Sequence, residues 1–170
     1  MTLDLKRIFA TEGSSLEIDY EIDLSELEVS GDYPLKKPVM VKGSVFNRAD
    51  VVTLQLSVFY EFAAPCYRCG TFAANEHTVI IDKMLANSLE RQESDTIIKI
   101  DGMKLDVDEL VYSEVVLDLP TKHLCKEDCK GLCCNCGKNL NDGECGCDND
   151  YIDPRLAKLK ELLKIKFSLL

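Results

Sequence analysis

The sequence predicts an α+β protein in which an antiparallel β-sheet carries one covering helix, followed by a cysteine-rich module and a C-terminal amphipathic helix. Three observations lead to this fold class. Apolar and polar residues alternate in "VTLQLSVFYEF", a capped helical pattern begins at Asp106, and seven of the nine cysteines lie between residues 125 and 147. We expect a sheet domain with one helix over residues 1–120, and the module and last helix over residues 121–170, docked on the first.

The predicted sheet is built on four apolar-rich runs. Over residues 52–62 every second side chain is apolar, which is the pattern of a strand with one face in a core. The β-rich runs 39–46 and 71–82 lie on either side of it, and short turn sequences separate the three. We therefore expect an antiparallel meander. The acidic run 17–28 alternates charged and apolar residues and predicts a strand with a solvated face.

The covering helix is predicted from its capping signal. Asp101 and Gly102 stand between two short apolar runs and indicate a hairpin before it. Asp106 and Glu109 then have the spacing of a capping box, for a helix that runs to about Leu119 before a proline ends it. Its apolar face, which we expect to pack on the open face of the sheet, consists of Val107, Leu110, Val111 and Val115.

A second helix is predicted at the end of the chain. Asp153 is its N-cap and Pro154 occupies the first helical position. Its apolar stripe is formed by Leu156, Leu159, Leu163 and Phe167. The remaining surface carries four lysines, Lys158, Lys160, Lys164 and Lys166. Two interpretations stay open: the helix docks on the core with its lysines in water, or it contacts RNA or a partner groove.

Charge and hydropathy narrow the function classes. The net charge is −10, and residues 1–124 carry all of it, with 12 basic against 22 acidic residues. Such an acidic body does not suit non-specific phosphate binding and suits a basic protein partner, or simply solubility. The chain shows no secretory signal and no apolar run long enough to span a membrane. We expect a soluble protein of the reducing cytoplasm.

The cysteines fall into four close pairs, which predicts metal binding. Disulfides are rare in the cytosol, and tetrahedral zinc is commonly held by two close cysteine pairs from separate turns. Four pairs therefore suggest two structural Zn²⁺ ions, and a tight hairpin connection closed by Gly70 presents backbone amides to the first pair. The preferred partition puts one ion between Cys133, Cys136, Cys145 and Cys147. The second would lie between Cys66, Cys69, Cys125 and Cys129, tying the tail to the hairpin.

Other interpretations of the cysteines stay open. A single zinc held by Cys129, Cys133, Cys136 and Cys145 is the alternative partition, and sequence does not exclude an iron–sulfur cluster. A redox CxxC centre fits poorly, because Cys66 and Cys69 follow an antiparallel pattern and open no helix. A catalytic zinc would keep a water position and commonly use histidine. His123 is an alternative ligand but is expected on the surface, and His77 offers no catalytic triad, so we predict no enzyme.

The ordered series of motifs resembles a known family. It runs from Cys66, Arg68 and Cys69, through "DLP" and "LCKEDCKGLCCNCGKNLN", to "CGC" and the helix start "DPR". Together these are similar to the YceD family, the large ribosomal RNA subunit accumulation proteins, over roughly residues 40 to 165. The family pattern has proline where this chain has Cys134, which supports treating Cys134 as the one cysteine that is not a ligand.

The resemblance implies a function. It implies support of 23S ribosomal RNA accumulation, and hence of large ribosomal subunit biogenesis, in the bacterial cytoplasm. Because the body is acidic, we expect the partner to be a large-subunit precursor, its rRNA or a basic ribosomal protein, with no membrane and no small-molecule substrate. Direct contacts are predicted at Arg68 and the tail lysines, although Arg68 could equally pair with an acidic strand. The alternative function is a zinc-stabilised protein-interaction adaptor without a ribosomal role.

Overall fold

The computed structural model describes residues 1–87, 96–100 and 102–147. Two helices lie in this part of the chain, α1 over Lys6–Ala10 and α2 over Val107–Asp118. The strands in chain order are β1 Thr2–Asp4, β2 Ser15–Ile22, β3 Val39–Arg48, β4 Val51–Pro65, β5 Phe72–Ala86, β6 Ile97–Lys99 and β7 Lys104–Asp106. None of the described helices has the length and apolar character that a membrane-spanning helix needs.

The predicted meander is confirmed, and it is the centre of a five-stranded sheet. β2, β3, β4 and β5 are neighbours in that order and pair antiparallel. In register, Val58 of β4 lies between Val41 of β3 and Val79 of β5. β2 ends at Ile22, so only the first part of the acidic run 17–28 is a strand.

The alternating pattern of β4 places its apolar side chains in the core. The side chains of Val52, Leu54, Leu56, Val58, Tyr60 and Phe62 are all buried. They share one hydrophobic cluster with residues of the neighbouring strands and of α2. Burying an apolar side chain of this size stabilises the fold by about 1.5 to 3 kcal/mol, so this shared cluster is the core of the first unit.

The predicted hairpin around Gly102 is wrong. β6 and β7 do not pair with each other but belong to different sheets. β6 pairs parallel with β5, which makes the large sheet mixed, and β7 pairs antiparallel with β1. A turn sequence only reverses the chain locally, and here long-range pairing decides which strands meet.

The helix α2 begins and ends where its capping signal predicts. The side chain of Asp106 accepts hydrogen bonds from the backbone N–H groups of Asp108 and Glu109. Its buried residues are Val107, Val111 and Val115. Tyr60 of β4 donates a hydrogen bond to Asp118 at 2.7 Å, and Lys83 of β5 pairs with Glu114 at 2.9 Å. That α2 covers the open face of the sheet stays a prediction.

The chain divides into two units, Met1–Cys125 and Lys126–Leu170. The first contains both sheets and both α-helices. In the second, Leu132 and Asn139 form an isolated antiparallel bridge, and Leu140–Asp142 is a single 3₁₀ turn. The predicted C-terminal helix from Asp153, with its four lysines, lies outside the described residues. The predicted domain division after residue 120 stays a prediction.

Candidate metal centres

Seven of the nine cysteines lie in two groups, one within each unit, that could each hold a metal ion. The members are Cys66, Cys69 and Cys125 in the first unit, and Cys133, Cys136, Cys145 and Cys147 in the second. That Cys129 completes the first group, as the preferred partition has it, stays a prediction, and the alternative set of Cys129, Cys133, Cys136 and Cys145 is not a group among the described residues. Cys134 belongs to neither group in the described chain and is exposed.

The turn between β4 and β5 carries the first pair of thiols. The Cys66 N–H donates to the carbonyl of Thr71 at 2.9 Å, and the Gly70 N–H donates to the carbonyl of Cys66 at 2.9 Å. The Arg68 N–H points at the Cys66 sulfur, at 3.4 Å. Gly70 has a φ of 71°, a conformation that glycine adopts without strain. The predicted CxxCG connection, with an amide directed at a sulfur, is therefore present.

Cys125 joins this pair within the first unit. Its Sγ lies 3.6 Å from the Sγ of Cys69, and these two and the Sγ of Cys66 all lie within 4.8 Å of one another. The segment before Cys125 is held to the hairpin because Asn75 donates to the Leu124 carbonyl at 3.0 Å. Cys125 is thus brought to a pair of thiols from which it is separated by 56 positions, counted from Cys69.

The structure corrects the prediction for His123. The side chain is only 1 % exposed, so it is not a surface histidine. Its ring lies 5.3 Å from the ring of Phe62, and its Nε2 lies 3.1 Å from the carbonyl of Ala73. His77 lies in β5, as predicted, and stacks on Tyr60 at 5.2 Å. Neither histidine belongs to a cysteine group among the described residues.

A second turn with the same hydrogen bonds begins at Cys133. The Cys133 N–H donates to the carbonyl of Lys138 at 2.8 Å, and the Gly137 N–H donates to the carbonyl of Cys133 at 2.9 Å. The Asn135 N–H lies 3.4 Å from the Cys133 sulfur. Gly137 has a φ of 72°, as Gly70 has in the first turn. The signal for this equivalence in the sequence is the repeated CxxCG, at Cys66–Gly70 and Cys133–Gly137.

Two further side chains contact sulfur atoms and were missed from sequence. Asn141 donates from Nδ2 to the Cys129 sulfur at 3.3 Å, and its Oδ1 accepts from the Lys130 N–H at 3.0 Å. The Thr71 hydroxyl lies 3.4 Å from the Cys69 sulfur. Groups of this kind orient metal ligands and stabilise the thiolate form. Asparagine and threonine are common in loops, so no sequence signal singles them out.

Electrostatics favour the thiolate at the first cysteine of each turn. Burial raises the pKa of Cys66, but backbone N–H groups, that of Cys125 foremost, outweigh it and lower the pKa to about 6. The N–H of Cys136 is the largest cause that lowers the pKa of Cys133, also to about 6. Cys147 differs, because hydrogen bonding with Cys136 foremost raises its pKa to about 12. Because the thiolate is the form that binds metal, the lowered pKa of Cys66 and Cys133 favours cation binding by these two residues.

The sulfur-only groups suit some metals and not others. Thiolates bind borderline and soft ions such as Zn²⁺ and also hold iron–sulfur clusters, whereas Mg²⁺ and Ca²⁺ prefer oxygen ligands. Four thiols close a tetrahedral zinc site and leave no open position for substrate.

Arg68, the predicted contact residue of the first turn, has an exposed side chain.

Comparison with known proteins gives one family and several uncharacterised relatives. The model of the family described as "Large ribosomal RNA subunit accumulation protein YceD" matches residues 54–163. The uncharacterized protein Rv2926c of Mycobacterium tuberculosis is 28 % identical over 174 residues, 96 % of this chain and 81 % of its own. The uncharacterized protein YlbN of Bacillus subtilis is 26 % identical over 153 residues, 88 % and 89 % of the two chains. No solved structure matches significantly.

Proposed function

The chain belongs to the YceD family of large ribosomal RNA subunit accumulation proteins, and on this premise we propose that it supports 23S ribosomal RNA accumulation and large ribosomal subunit biogenesis as a non-enzymatic factor. The observation that carries the proposal is the extent of the family match. It spans residues 54–163 and therefore includes every cysteine of the two groups. Both cysteine groups therefore lie inside the region that matches the family.

Structural zinc is the second part of the proposal. Each group would hold one Zn²⁺, with Cys129 as the fourth ligand of the first group. The paired CxxCG turns and their N–H donors to sulfur support this assignment, because zinc thiolates accept such hydrogen bonds. A zinc ion with four protein ligands stabilises a fold and has no site for a substrate. Elemental analysis of protein purified under reducing conditions should give about two zinc per chain, and iron in place of zinc would contradict the assignment.

The charge of the chain supports a protein-mediated role. Residues 1–124 carry a net charge of −10, and a net negative charge repels RNA phosphates. We therefore propose that the partner is a large-subunit precursor met through a basic ribosomal protein, with any phosphate contact made by Arg68 or the tail lysines Lys158, Lys160, Lys164 and Lys166. A cytoplasmic location follows from the same proposal, because its thiols must stay reduced to bind metal.

Depletion of the protein tests the proposed function. We expect 23S rRNA to fall relative to 16S rRNA, and the tagged protein to co-sediment with large-subunit precursors in a sucrose gradient. A plasmid copy of the wild-type gene should restore both readouts. Unchanged 23S rRNA together with no co-sedimentation would defeat the proposal.

That same negative result would favour the second candidate, a zinc-stabilised interaction adaptor without a ribosomal role. The acidic first unit is the observation behind this alternative, because it suits a basic protein whatever the assembly to which the partner belongs.

A further inference from the structure

The first unit contains a groove that the proposed function does not use. Its volume is about 760 Å³. Three segments form its walls: the loop 27–34 after β2, the end of β4 with the turn that follows it, and the end of α2 with residues 119–121. All three lie within Met1–Cys125.

The lining of the groove is mostly apolar and partly open to solvent. Phe62 and Leu119 contribute its deeper side chains. Tyr67, on the first cysteine turn, is 67 % exposed, and Val116 of α2 is 40 % exposed. Concave apolar surface with an exposed aromatic residue is typical of sites where a partner side chain is buried.

The charge at the groove has one sign. Glu28 and Asp32 line it, and no lysine, arginine or histidine is among its described lining residues. The adjoining segment 17–32 holds seven acidic residues and no basic one, and all seven side chains are exposed. A cleft with like charges on low-dielectric walls concentrates ions of the opposite sign. The groove therefore attracts cationic groups and repels phosphate.

We propose that this groove binds a basic amphipathic segment of a protein partner. The apolar side chains of the segment enter between Phe62, Tyr67 and Val116, and its lysine or arginine side chains pair with Glu28 and Asp32. This is the arrangement in which an amphipathic helix docks into a groove with one apolar face and one charged face. The inference rests on the proposed function in one respect: it supplies the surface that meets the basic protein partner.

The wall of the groove is held in place by the cysteine turn. The Tyr67 N–H donates to the carbonyl of His123 at 2.9 Å, and the His123 side chain is buried beneath the same hairpin. A rigid wall of this kind reduces the entropy lost when a partner binds.

Fluorescence anisotropy with a synthetic probe tests the groove directly. The probe is a short fluorescein-labelled peptide with leucine on one helical face and lysine at all other positions. We expect saturable binding to the full-length wild-type protein. Val116→Lys should weaken this binding by about tenfold or more, because it removes the burial of a valine and adds a like charge. Leu117→Lys is the matched control, since Leu117 is 81 % exposed on the same helix and does not line the groove.

Charge neutralisation is a second, independent variant. Glu28→Gln with Asp32→Asn should weaken binding by about three- to tenfold at low salt, as expected for two exposed ion pairs. Glu17→Gln with Glu21→Gln makes the same change in β2, outside the groove lining, and should leave the probe affinity within about twofold. Peptides with serine for leucine, or glutamate for lysine, should bind far more weakly than the probe.

Several results would overturn the inference. They are no binding of the probe to wild type, equal binding of the serine peptide, or equal weakening by Val116→Lys and Leu117→Lys. Co-sedimentation of the Val116→Lys protein with large-subunit precursors at the wild-type level would also overturn it while the proposed function stands. Absence of wild-type co-sedimentation defeats the proposed function instead, and the peptide titration then still decides the groove. If a single-stranded RNA oligonucleotide bound the protein in competition with the probe, the groove would be an RNA site and the proposal of a protein partner would be wrong.

Discussion

Replacing Cys133 by serine should remove one metal ion and leave the other. Cys133 is 3 % exposed, accepts the Asn135 N–H at 3.4 Å, and shares its group with three other thiols. A serine hydroxyl does not ionise near neutral pH, so the group would keep only three thiolates. We expect the zinc content to fall from about two to about one per chain.

The structural effect should be confined to the second unit. Among its described residues, 126–147, the buried side chains are those of Cys129 and Cys133, so this part has no hydrophobic core. A segment of this size without a core depends on its metal. Structural zinc supplies roughly 10 to 16 kcal/mol to small modules, as much as the whole stability of a typical domain, about 5 to 15 kcal/mol. Losing the ion should therefore unfold residues 130–147 and leave intact both the sheet and the ion assigned to the first group, with its proposed ligand Cys129.

Cys134→Ser is the matched control, because it makes the same chemical change one residue away at an exposed thiol. Elemental analysis gives the metal content of both variants. Two-dimensional amide NMR spectra should show collapsed dispersion only for the second unit of Cys133→Ser. Two zinc per chain in Cys133→Ser, or a loss of metal in Cys134→Ser, would refute the assignment of the ligands.

Three further predictions concern the first unit. A Cβ atom at Gly43 of β3 would overlap the Gln55 carbonyl oxygen of β4, so Gly43→Ala should lower the free energy of unfolding by about 3 kcal/mol in denaturant titrations; an unchanged midpoint would contradict this close approach. Asp106→Ala removes the N-cap of α2 and should lower the free energy of unfolding by about 1 kcal/mol, whereas Asp106→Ser should keep most of the stability that the cap provides. Burial raises the pKa of Asp108, but hydrogen bonds from the amino terminus and Tyr20 outweigh it and hold the pKa below its usual value. This contribution, under about 1 kcal/mol for a solvent-screened pair, is present at neutral pH and is lost as the pH falls below about 4; Asp108→Asn should abolish that part of the acid dependence in pH-dependent unfolding.

Local patterns were sufficient for the central strands and for α2. Strict alternation in β4 is decided by which side chains face a core, and a side-chain oxygen at Asp106 satisfies N–H groups within three residues of it. The hairpin predicted at Gly102 does not form, because the two strands adjacent in sequence pair with other strands: β6 pairs with β5, and β7 pairs with β1. Pairing over such distances leaves no periodic trace in the sequence.

The burial of His123 was missed for a similar reason. The residue follows a proline in a polar segment, which indicates a surface position. Its neighbours in the fold are Phe62 of β4 and Ala73 of β5, and only the folded hairpin brings them close to it.

The cysteine pairs illustrate both kinds of information. Spacing is enough to define the two CxxCG pairs, because two thiols separated by two residues and followed by glycine can close only a small set of turns. Which pair meets which thiol is a matter of tertiary structure. Cys125 reaches Cys69 across 56 positions because Asn75 and Tyr67 hydrogen-bond the carbonyls of the segment before it.

The groove was decided by the fold alone. Its acidic residues are visible in the sequence as a run of charge, and its apolar residues are distributed over three distant segments. A binding surface requires both to lie side by side, which depends on the packing of the loop after β2, the end of β4 and the end of α2. Sequence therefore determined the sign of the charge and the chemistry of the thiols, and the tertiary structure decided where each of them meets its neighbours.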